Sequence, residues 1–513
     1  MLRWLIIGGV IVALGTSCTR LVTQSNTQAP DTQAPDTQAP DTQARDGTPD
    51  RVSDMPRDST GDSTDSTDST GDQVAEGLSD QSSRDHATRT LSLTTAWAKS
   101  AGDGSSDWVN AVAIDDAGNI TVVGQYVTSI SFGGSLLRSV DYNDGFVARF
   151  DASGTHLWSH SIGGTSNDEG TAIVDTGTAI VLGAYCGGSC KVANQMLPSS
   201  GSAVVVARFD PDGTLVWAKR AGGSGRSSPR SIVFDGKAIT LVGRFADTID
   251  FGNNPLTKTA GGGDDAFIAQ LDAAGQHVWS KRFGAEGLDL AEGISSDGQG
   301  GFVVGGSFEH SIDLGGGSLV SRGSSDVVIA RLDGAGRHVW SSAYGSTGFD
   351  ETAGIAVDSA GTIYLTGSFQ HTISLGGTLL TNAGGADVFL ASYDRQGQHQ
   401  WSKSFGGTTD DRVKAISSSA DGVITIAGNT GDDIDLGAGL LSIAQGMFIG
   451  RYSFDGSHRW SRGYQGRLDA KGIAENASHR IVIGGEISES ADFGTGLLMS
   501  RGMQDALIVV LSP

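Results

Sequence analysis

A tryptophan recurs along this chain at intervals of 59 to 62 residues, and this period is the strongest constraint on its fold. Recurrence at a fixed period is typical of repeat architectures, in which each unit buries its apolar face against its neighbours. The series comprises Trp97, Trp158, Trp217, Trp279, Trp340, Trp401 and Trp460. We therefore expect seven copies of one structural unit between residues 91 and 513.

Each unit has the sequence pattern of four short strands. In the fifth unit, β-branched and alternating residues fill the segments 353–358, 362–367, 387–394 and 398–403. An Asp-x-x-Gly turn such as Asp394 to Gly397 joins the third and fourth strands of five units, where Asp can bond to its own backbone and Gly can adopt positive φ. The content of 76 glycines and 10 prolines also favours many tight turns between strands. The units are therefore predicted to be antiparallel.

The two ends of the repeat region favour a closed ring over an open stack. Segment 91–97 has the pattern of a fourth strand, whereas segment 505–511 has that of a third strand. The first segment can therefore complete the last unit, which leaves no half-blade exposed. The predicted fold is all-β, a single seven-bladed β-propeller of four-stranded blades closed by the N-terminal strand. Each Trp is expected to wedge between neighbouring blades from the outermost strand.

Three motifs of the fifth unit carry a family resemblance. They are Gly-Ile-Ala-Val-Asp-x-x-Gly at 354–361, Tyr-Leu-Thr-Gly-Ser-Phe at 364–369 and Trp-Ser-Lys-x-Phe-Gly-Gly at 401–407. This signature resembles the bacterial β-propeller repeat family called SBBP-type and extends over residues 91–513. The resemblance implies an exported surface or periplasmic protein of largely undefined activity, and it supplies no catalytic residue. Units two and three depart from the signature at 185–196 and 222–229.

The N-terminus predicts export. Arg3 precedes an apolar stretch at 4–14, and small residues precede Cys18, so that residues 1–18 resemble a bacterial lipoprotein signal peptide. This resemblance implies that Cys18 is lipidated, and Thr19 after it implies an outer-membrane or cell-surface destination. Such signals usually have Leu three residues before the Cys, where this chain has Gly15, so ordinary cleavage and secretion remains an alternative.

Residues 19–90 are predicted to be a disordered acidic linker. Asp-Thr-Gln-Ala-Pro repeats and an Asp-Ser-Thr tract fill this segment, which has almost no residues able to build a core. The whole chain carries a formal net charge of −23. Such a surface repels phosphate backbones, so nucleic-acid binding is disfavoured, whereas cationic partners remain open.

Cys186 and Cys190 are predicted to form a disulfide within the connection after the second strand of unit two. Their three-residue spacing differs from the Cys-x-x-Cys redox motif, and no Cys or His follows them at the spacing of a metal finger. An exported protein enters an oxidising compartment, where such a pair forms a disulfide.

Acidic residues precede or begin the first strand of most units, and they are the candidate metal ligands. On a propeller face, these residues would form an acidic ring around the channel mouth, and calcium accepts carboxylate and carbonyl oxygens in flexible geometry. The candidates are Asp107, Asp168, Asp289, Asp350, Asp410 and Asp469. In the alternative, each Asp caps its own turn and faces solvent.

The function predicted from the sequence is binding or scaffolding without catalysis. A monomeric propeller on a lipid tether would bind an envelope protein or a glycan through its long loops, where function commonly resides. The alternative is a quinoprotein-like enzyme with pyrroloquinoline quinone, because Asp-x-x-Gly-x-x-x-Trp at 151–158 resembles the tryptophan-docking turn of such propellers. A further alternative is an outer-membrane assembly scaffold lipoprotein.

Overall fold

The computed structural model of the protein describes residues 93–199, 201–252 and 254–513. In these ranges the regular secondary structure consists of strands, and no helix is present that could cross a membrane. The predicted signal peptide at 1–18, its Cys18 and the linker at 19–90 lie outside the described residues.

The strands form seven antiparallel blades of four strands each, which follow one another along the chain, and the sheet of blade 1 is extended at its outer edge by two short strands that belong to the connection of blade 2. Strand β1 (Thr94–Ala101) belongs to the last blade. Blade 1 consists of β2 (Asp107–Ile114), β3 (Ile120–Ile130), β4 (Leu137–Phe150) and β5 (His156–Gly164). Blade 2 consists of β6 (Asp168–Asp175), β7 (Ile180–Cys186), the small hairpin of β8 (Cys190–Val192) and β9 (Gln195–Leu197), then β10 (Ala203–Phe209) and β11 (Leu215–Gly222). Blade 3 consists of β12 (Ser227–Phe234), β13 (Ala238–Phe245), the hairpin β14 (Thr248–Ile249) and β15 (Leu256–Thr257), then β16 (Asp265–Asp272) and β17 (His277–Phe283).

Blades 4 to 7 repeat this arrangement, each with a small hairpin between its second and third strands. Blade 4 consists of β18 (Asp289–Ser296), β19 (Phe302–Phe308), β20 (Ser311–Asp313), β21 (Ser318–Val320), β22 (Asp326–Leu332) and β23 (His338–Tyr344). Blade 5 consists of β24 (Asp350–Val357), β25 (Ile363–Phe369), β26 (Thr372–Ile373), β27 (Leu380–Thr381), β28 (Asp387–Tyr393) and β29 (His399–Phe405). Blade 6 consists of β30 (Asp411–Ser418), β31 (Ile424–Thr430), β32 (Ile434–Asp435), β33 (Leu440–Leu441), β34 (Gly446–Tyr452) and β35 (His458–Gln465). Blade 7 consists of β36 (Leu468–Glu475), β37 (Ile481–Ile487), β38 (Ser490–Asp492), β39 (Leu497–Met499) and β40 (Asp505–Ser512), completed by β1.

The predicted seven-bladed propeller and its closure by the N-terminal strand are confirmed. Strand β1 pairs antiparallel with β40, from Thr94 opposite Ser512 to Ala101 opposite Ala506. The first strands of successive blades contact one another around the axis, and β36 of blade 7 contacts β2 of blade 1. The ring is therefore closed, with the first strand of every blade innermost.

The recurring tryptophans connect each blade to the next. They lie at the face of the propeller that carries the short turns between the third and fourth strands, and we call this face the rim. The ring of Trp158 lies against Gly213 in the hairpin turn of blade 2, and its indole N–H donates to the Pro211 carbonyl at 2.9 Å. Six of the seven make this contact, with indole hydrogen bonds of 2.9 to 3.2 Å. The seventh, Trp460, faces blade 7, where β40 and β1 come from opposite ends of the chain and no connecting turn joins them.

Candidate functional site at the channel mouth

The opposite face of the propeller carries the long connections and surrounds the channel mouth. There the fourth strand of each blade leads into the first strand of the next, and the second strand leads into the third. The small hairpins pack on this face through buried residues such as Ile312, Ile373 and Ile434. Loops held in this way can present a firm recognition surface.

Four of the predicted calcium ligands occupy one equivalent position, the first residue of the innermost strand. They are Asp107, Asp168, Asp289 and Asp350, all with no exposed surface. Each accepts a hydrogen bond from the backbone N–H four residues before it, with N···O distances of 2.8 to 3.2 Å. These residues therefore cap their own turns, as the alternative held, but they are buried between blades and do not face solvent.

Asp410 and Asp469 lie one residue away from the equivalent positions. In blade 6 the buried first residue is Asp411, which accepts the Gly407 N–H at 2.7 Å. In blade 7 that position is Leu468, and Asp469 is partly exposed beside Lys471 at 3.1 Å. The structure thus separates these two residues from the other four, because successive residues of a strand point to opposite faces.

Burial disfavours the charged form of these carboxyls. Desolvation raises the pKa of Asp107, Asp168, Asp289 and Asp350 to about 7, although backbone N–H donors lower it in part. Burial also raises the pKa of Asp411. These groups therefore hold their protons more tightly than exposed aspartates do.

Each of these aspartates faces a second buried aspartate across the seam with the preceding blade, and the sequence analysis did not find these partners. In four blades the second aspartate is the first residue of the third strand. In blade 1 it is Asp144, which lies within the longer strand β4. The five carboxylate pairs are Asp505 with Asp107, Asp144 with Asp168, Asp265 with Asp289, Asp326 with Asp350, and Asp387 with Asp411. All ten side chains are at most 3% exposed.

The next residue of each innermost strand points to the mouth and differs from blade to blade. The seven are Trp108, Glu169, Ser228, Leu290, Glu351, Arg412 and Asp469. Their cross-strand partners are Gln125, Tyr185, Arg244, Ser307, Ser368, Asn429 and Glu486. The first residue of the innermost strand is thus aspartate in five blades, whereas the residue that follows it varies among the blades.

The expected acidic ring is replaced by ion pairs between basic and acidic side chains. Arg226 lies 3.7 Å from Glu169, and Arg412 lies 3.5 Å from Glu351. Lys471 contacts both Asp469 and Glu486. The exposed part of the mouth is therefore of mixed charge, whereas the equivalent aspartates of five blades lie buried beneath it.

A groove of about 340 Å³ opens on the mouth between blades 1 and 3. Its lining comprises Trp108, Gln125, Asn143, Asn167, Glu169, Tyr185 and Arg226. The Arg226 guanidinium lies 5.3 Å above the Tyr185 ring, and the Lys471 ammonium lies 5.7 Å from the Trp108 ring. The groove therefore combines two aromatic rings with amide, acidic and basic groups.

Sequence reasoning missed this groove although one signal was available. Of the nine tryptophans, Trp4 and Trp108 alone lie outside the repeat period, and Trp4 belongs to the predicted signal peptide. The other aromatic residue, Tyr185, begins the segment where blade 2 departs from the repeat. Because Trp108 and Tyr185 depart from the repeat, the repeated blade structure does not account for their presence.

Cys186 and Cys190 are joined by a disulfide beside the groove. Cys186 ends β7 opposite Asp168, and Cys190 begins β8, whose hairpin adds to the outer edge of blade 1 by pairing with β5. The sulfurs and the Asp168 carboxylate form a close group. Because the sulfurs are bonded to each other, they offer no thiolate to a metal.

Comparisons with known proteins give partial likenesses. No family model matches the chain. The chain is 25% identical over 187 residues to the regulatory protein FlaEY of Caulobacter vibrioides, which covers 35% of this chain and 19% of that protein. The matched stretch is therefore about a fifth of that relative's length.

Among solved structures, the chain resembles Sqt1 from Chaetomium thermophilum, with a TM-score of 0.41, 13% identity and coverage of 82% of this chain and 100% of that one. It also resembles the Neurospora crassa Pan2 WD40 domain, with a TM-score of 0.42, 9% identity and coverage of 79% and 90%. A puromycin hydrolase matches with a TM-score of 0.40, 13% identity and coverage of 80% and 57%. At such scores the fold assignment depends on the strand topology of this chain itself.

Proposed function

We propose that the protein is a non-catalytic binding module of the bacterial cell envelope, and that it binds a protein or glycan at the channel mouth. The observation that carries the proposal is the groove around Trp108, where residues that depart from the repeat come together. Trp, Tyr and Arg are the residue types that dominate binding hot spots, and the groove has one of each in Trp108, Tyr185 and Arg226. A propeller by itself implies no chemistry, so the argument depends on this site.

The quinoprotein alternative depended on the Asp-x-x-Gly-x-x-x-Trp turn. In this protein, Trp158 of that motif packs on the next blade through Gly213 and the Pro211 carbonyl. Since its role in blade packing accounts for the motif, catalysis is not part of the proposal.

Photo-crosslinking tests the binding face. A crosslinking amino acid placed at Asn167, an exposed residue of the groove lining, is compared with one at Val216, which is 45% exposed on the outer strand of blade 2. The proposal expects adducts with one envelope component from position 167, and their loss when Trp108→Ala is added. Equal crosslinking from both positions, or adducts that Trp108→Ala leaves unchanged, would contradict it.

The proposal includes a tether at Cys18, in keeping with the resemblance of residues 1–18 to a lipoprotein signal. Mass analysis of the membrane fraction should find diacylglyceryl on Cys18, and Cys18→Ala should move the protein to the soluble fraction. An unmodified mature chain in the medium would replace the tethered receptor with a secreted binder. We also propose that residues 91–513 belong to the SBBP-type repeat family that they resemble.

A further inference from the structure

The carboxylate pairs at the blade seams raise a separate question, which is independent of the proposed binding function. Burying two carboxylates side by side is costly unless their charge is compensated. Of the ten aspartates, only Asp265 forms an ion pair within the described residues, with Arg282 at 2.7 Å. Four seams therefore bury two carboxylates each with no cationic side chain in contact.

The two members of a pair are present or absent together. Five seams have aspartate at both positions. At the seam between blades 2 and 3 the equivalent residues are Ala203 and Ser227, and between blades 6 and 7 they are Gly446 and Leu468. Turn capping by one aspartate does not require the other, so capping alone leaves this joint replacement unexplained. A group bound by both carboxylates at once, such as a cation, explains why the two aspartates are present or absent together.

The pairs also retain unused acceptor atoms. In the seam between blades 5 and 6, the Oδ1 atoms of Asp387 and Asp411 are buried and have no hydrogen-bond partner among the described residues. The same holds for one oxygen each of Asp144 and Asp505 in two further seams, and for the Oδ1 atoms of Asp265 and Asp289 in the arginine-containing seam. In the seam between blades 4 and 5, by contrast, both oxygens of Asp326 and both of Asp350 accept hydrogen bonds. Buried carboxylate oxygens normally have partners, so each free oxygen indicates a missing one.

In each seam, a glycine of the connection between blades lies directly against one or both carboxylates. At Gly102, a Cβ atom would lie 2.7 Å from both Asp107 Oδ2 and Asp505 Oδ1, so the two oxygens flank one point. Gly163, Gly345 and Gly406 likewise lie against the carboxylates of Asp144, Asp326 and Asp387. In the seam between blades 5 and 6, Asp432 adds a further free Oδ1 beside Gly407.

We propose that the three arginine-free seams with an unpartnered carboxylate oxygen, those between blades 7 and 1, 1 and 2, and 5 and 6, each take up a calcium ion between their paired aspartates. Carboxylate oxygens are ligands that calcium accepts in flexible geometry. Magnesium demands a stricter octahedron and is expected to bind more weakly. At the pair of Asp265 and Asp289, the Arg282 guanidinium supplies the compensating charge.

The first experiment uses the full-length protein without mutation. Equilibrium dialysis after chelation should find saturable uptake of one calcium ion at each of these three seams, and calcium should raise the unfolding temperature by about 5 °C or more while magnesium has less effect. No saturable uptake, together with an unfolding temperature unaffected by chelator, would overturn the proposal. It would mean that each pair shares a proton, and Asp411→Asn would then leave stability unchanged or raise it.

A variant based on the natural exception identifies the seam. Asp387→Ala combined with Asp411→Ser reproduces, in the seam between blades 5 and 6, the residues found at Ala203 and Ser227, a combination that this fold already accommodates. The variant should bind one calcium ion fewer than the wild type. The matched control is Asp313→Asn, whose exposed carboxylate caps its own turn and should leave the ion count unchanged. Unchanged uptake in the double variant would also overturn the proposal.

Discussion

The rim and the mouth are opposite ends of the same strands, yet they have different patterns of sequence variation. At the rim, six tryptophans make nearly the same contact with a glycine and a carbonyl of the next blade. At the mouth, equivalent positions hold Trp108, Glu169, Leu290 or Arg412. The comparison indicates that repetition maintains the ring, whereas the departures from repetition are concentrated at the mouth, the face that the proposed binding function uses.

The strongest test of this comparison removes a rim tryptophan. Trp97 is 9% exposed and joins blade 7 to blade 1 at the closing seam, so Trp97→Ala should lower the free energy of unfolding by about 3 kcal/mol. Denaturant unfolding at equilibrium measures this change. A loss below about 1 kcal/mol would mean that the rim contacts do not hold the ring together.

Two glycine substitutions distinguish the effect of the tryptophan contact on stability from the effect of backbone strain. Gly336 and Gly298 both have φ of +69°, but a Cβ on Gly336 would lie 2.7 Å from the Trp279 ring whereas one on Gly298 would meet nothing within 4 Å. We expect Gly336→Ala to cost about 2 kcal/mol and Gly298→Ala about 1 kcal/mol. Equal losses in thermal or denaturant unfolding would remove the ring contact from the explanation.

Trp460, the one recurring tryptophan without the rim hydrogen bond in the described residues, predicts a smaller difference in stability. Trp340 donates its indole N–H to the Arg395 carbonyl at 3.1 Å, whereas the Trp460 indole N–H has no partner within the described residues. Trp340→Phe should therefore cost about 1 kcal/mol, and Trp460→Phe should be close to neutral. If both substitutions destabilise the protein alike, the indole hydrogen bond does not contribute at the rim.

The smallest expected effect on stability belongs to the mouth. Trp108→Ala should change the free energy of unfolding by about 0.5 kcal/mol or less, because its ring is partly exposed and lies outside the rim contacts. A loss as large as that of Trp97→Ala would make Trp108 a structural residue. The comparison between rim and mouth would then fail.

The ring could be predicted from the sequence because its determinants are local and repeated. The period of the tryptophans gave the number of blades, and segments 91–97 and 505–511 gave the closure. Five of the six rim contacts also follow from one turn pattern, since each Asp-x-x-Gly hairpin places its glycine at the same point, and in the sixth the turn begins with Ser453 instead of an aspartate.

The site was less accessible because it depends on register and on residues from different blades. Asp410 and Asp411 are adjacent, and the sequence does not say which of them begins the strand, although one residue reverses the direction of the side chain. The pairing of Asp144 with Asp168 arises between two blades and leaves no periodic signal within either one. Trp108 lies outside the repeat period, so the periodic signal that predicted the ring carries no information about its role.

The closing strand has a mechanical consequence. Thr94 and Ser512 lie together at the rim end of blade 7, so a pull on the chain at Leu93 acts along β1 and away from the mouth. Interstrand hydrogen bonds run perpendicular to the strands, and such a load is shared in shear by all the bonds between β1 and β40 and does not unzip them one at a time. Under the proposed function, a propeller closed in this way would carry tension between the proposed tether and a partner bound at the mouth through the whole length of the β1–β40 pairing.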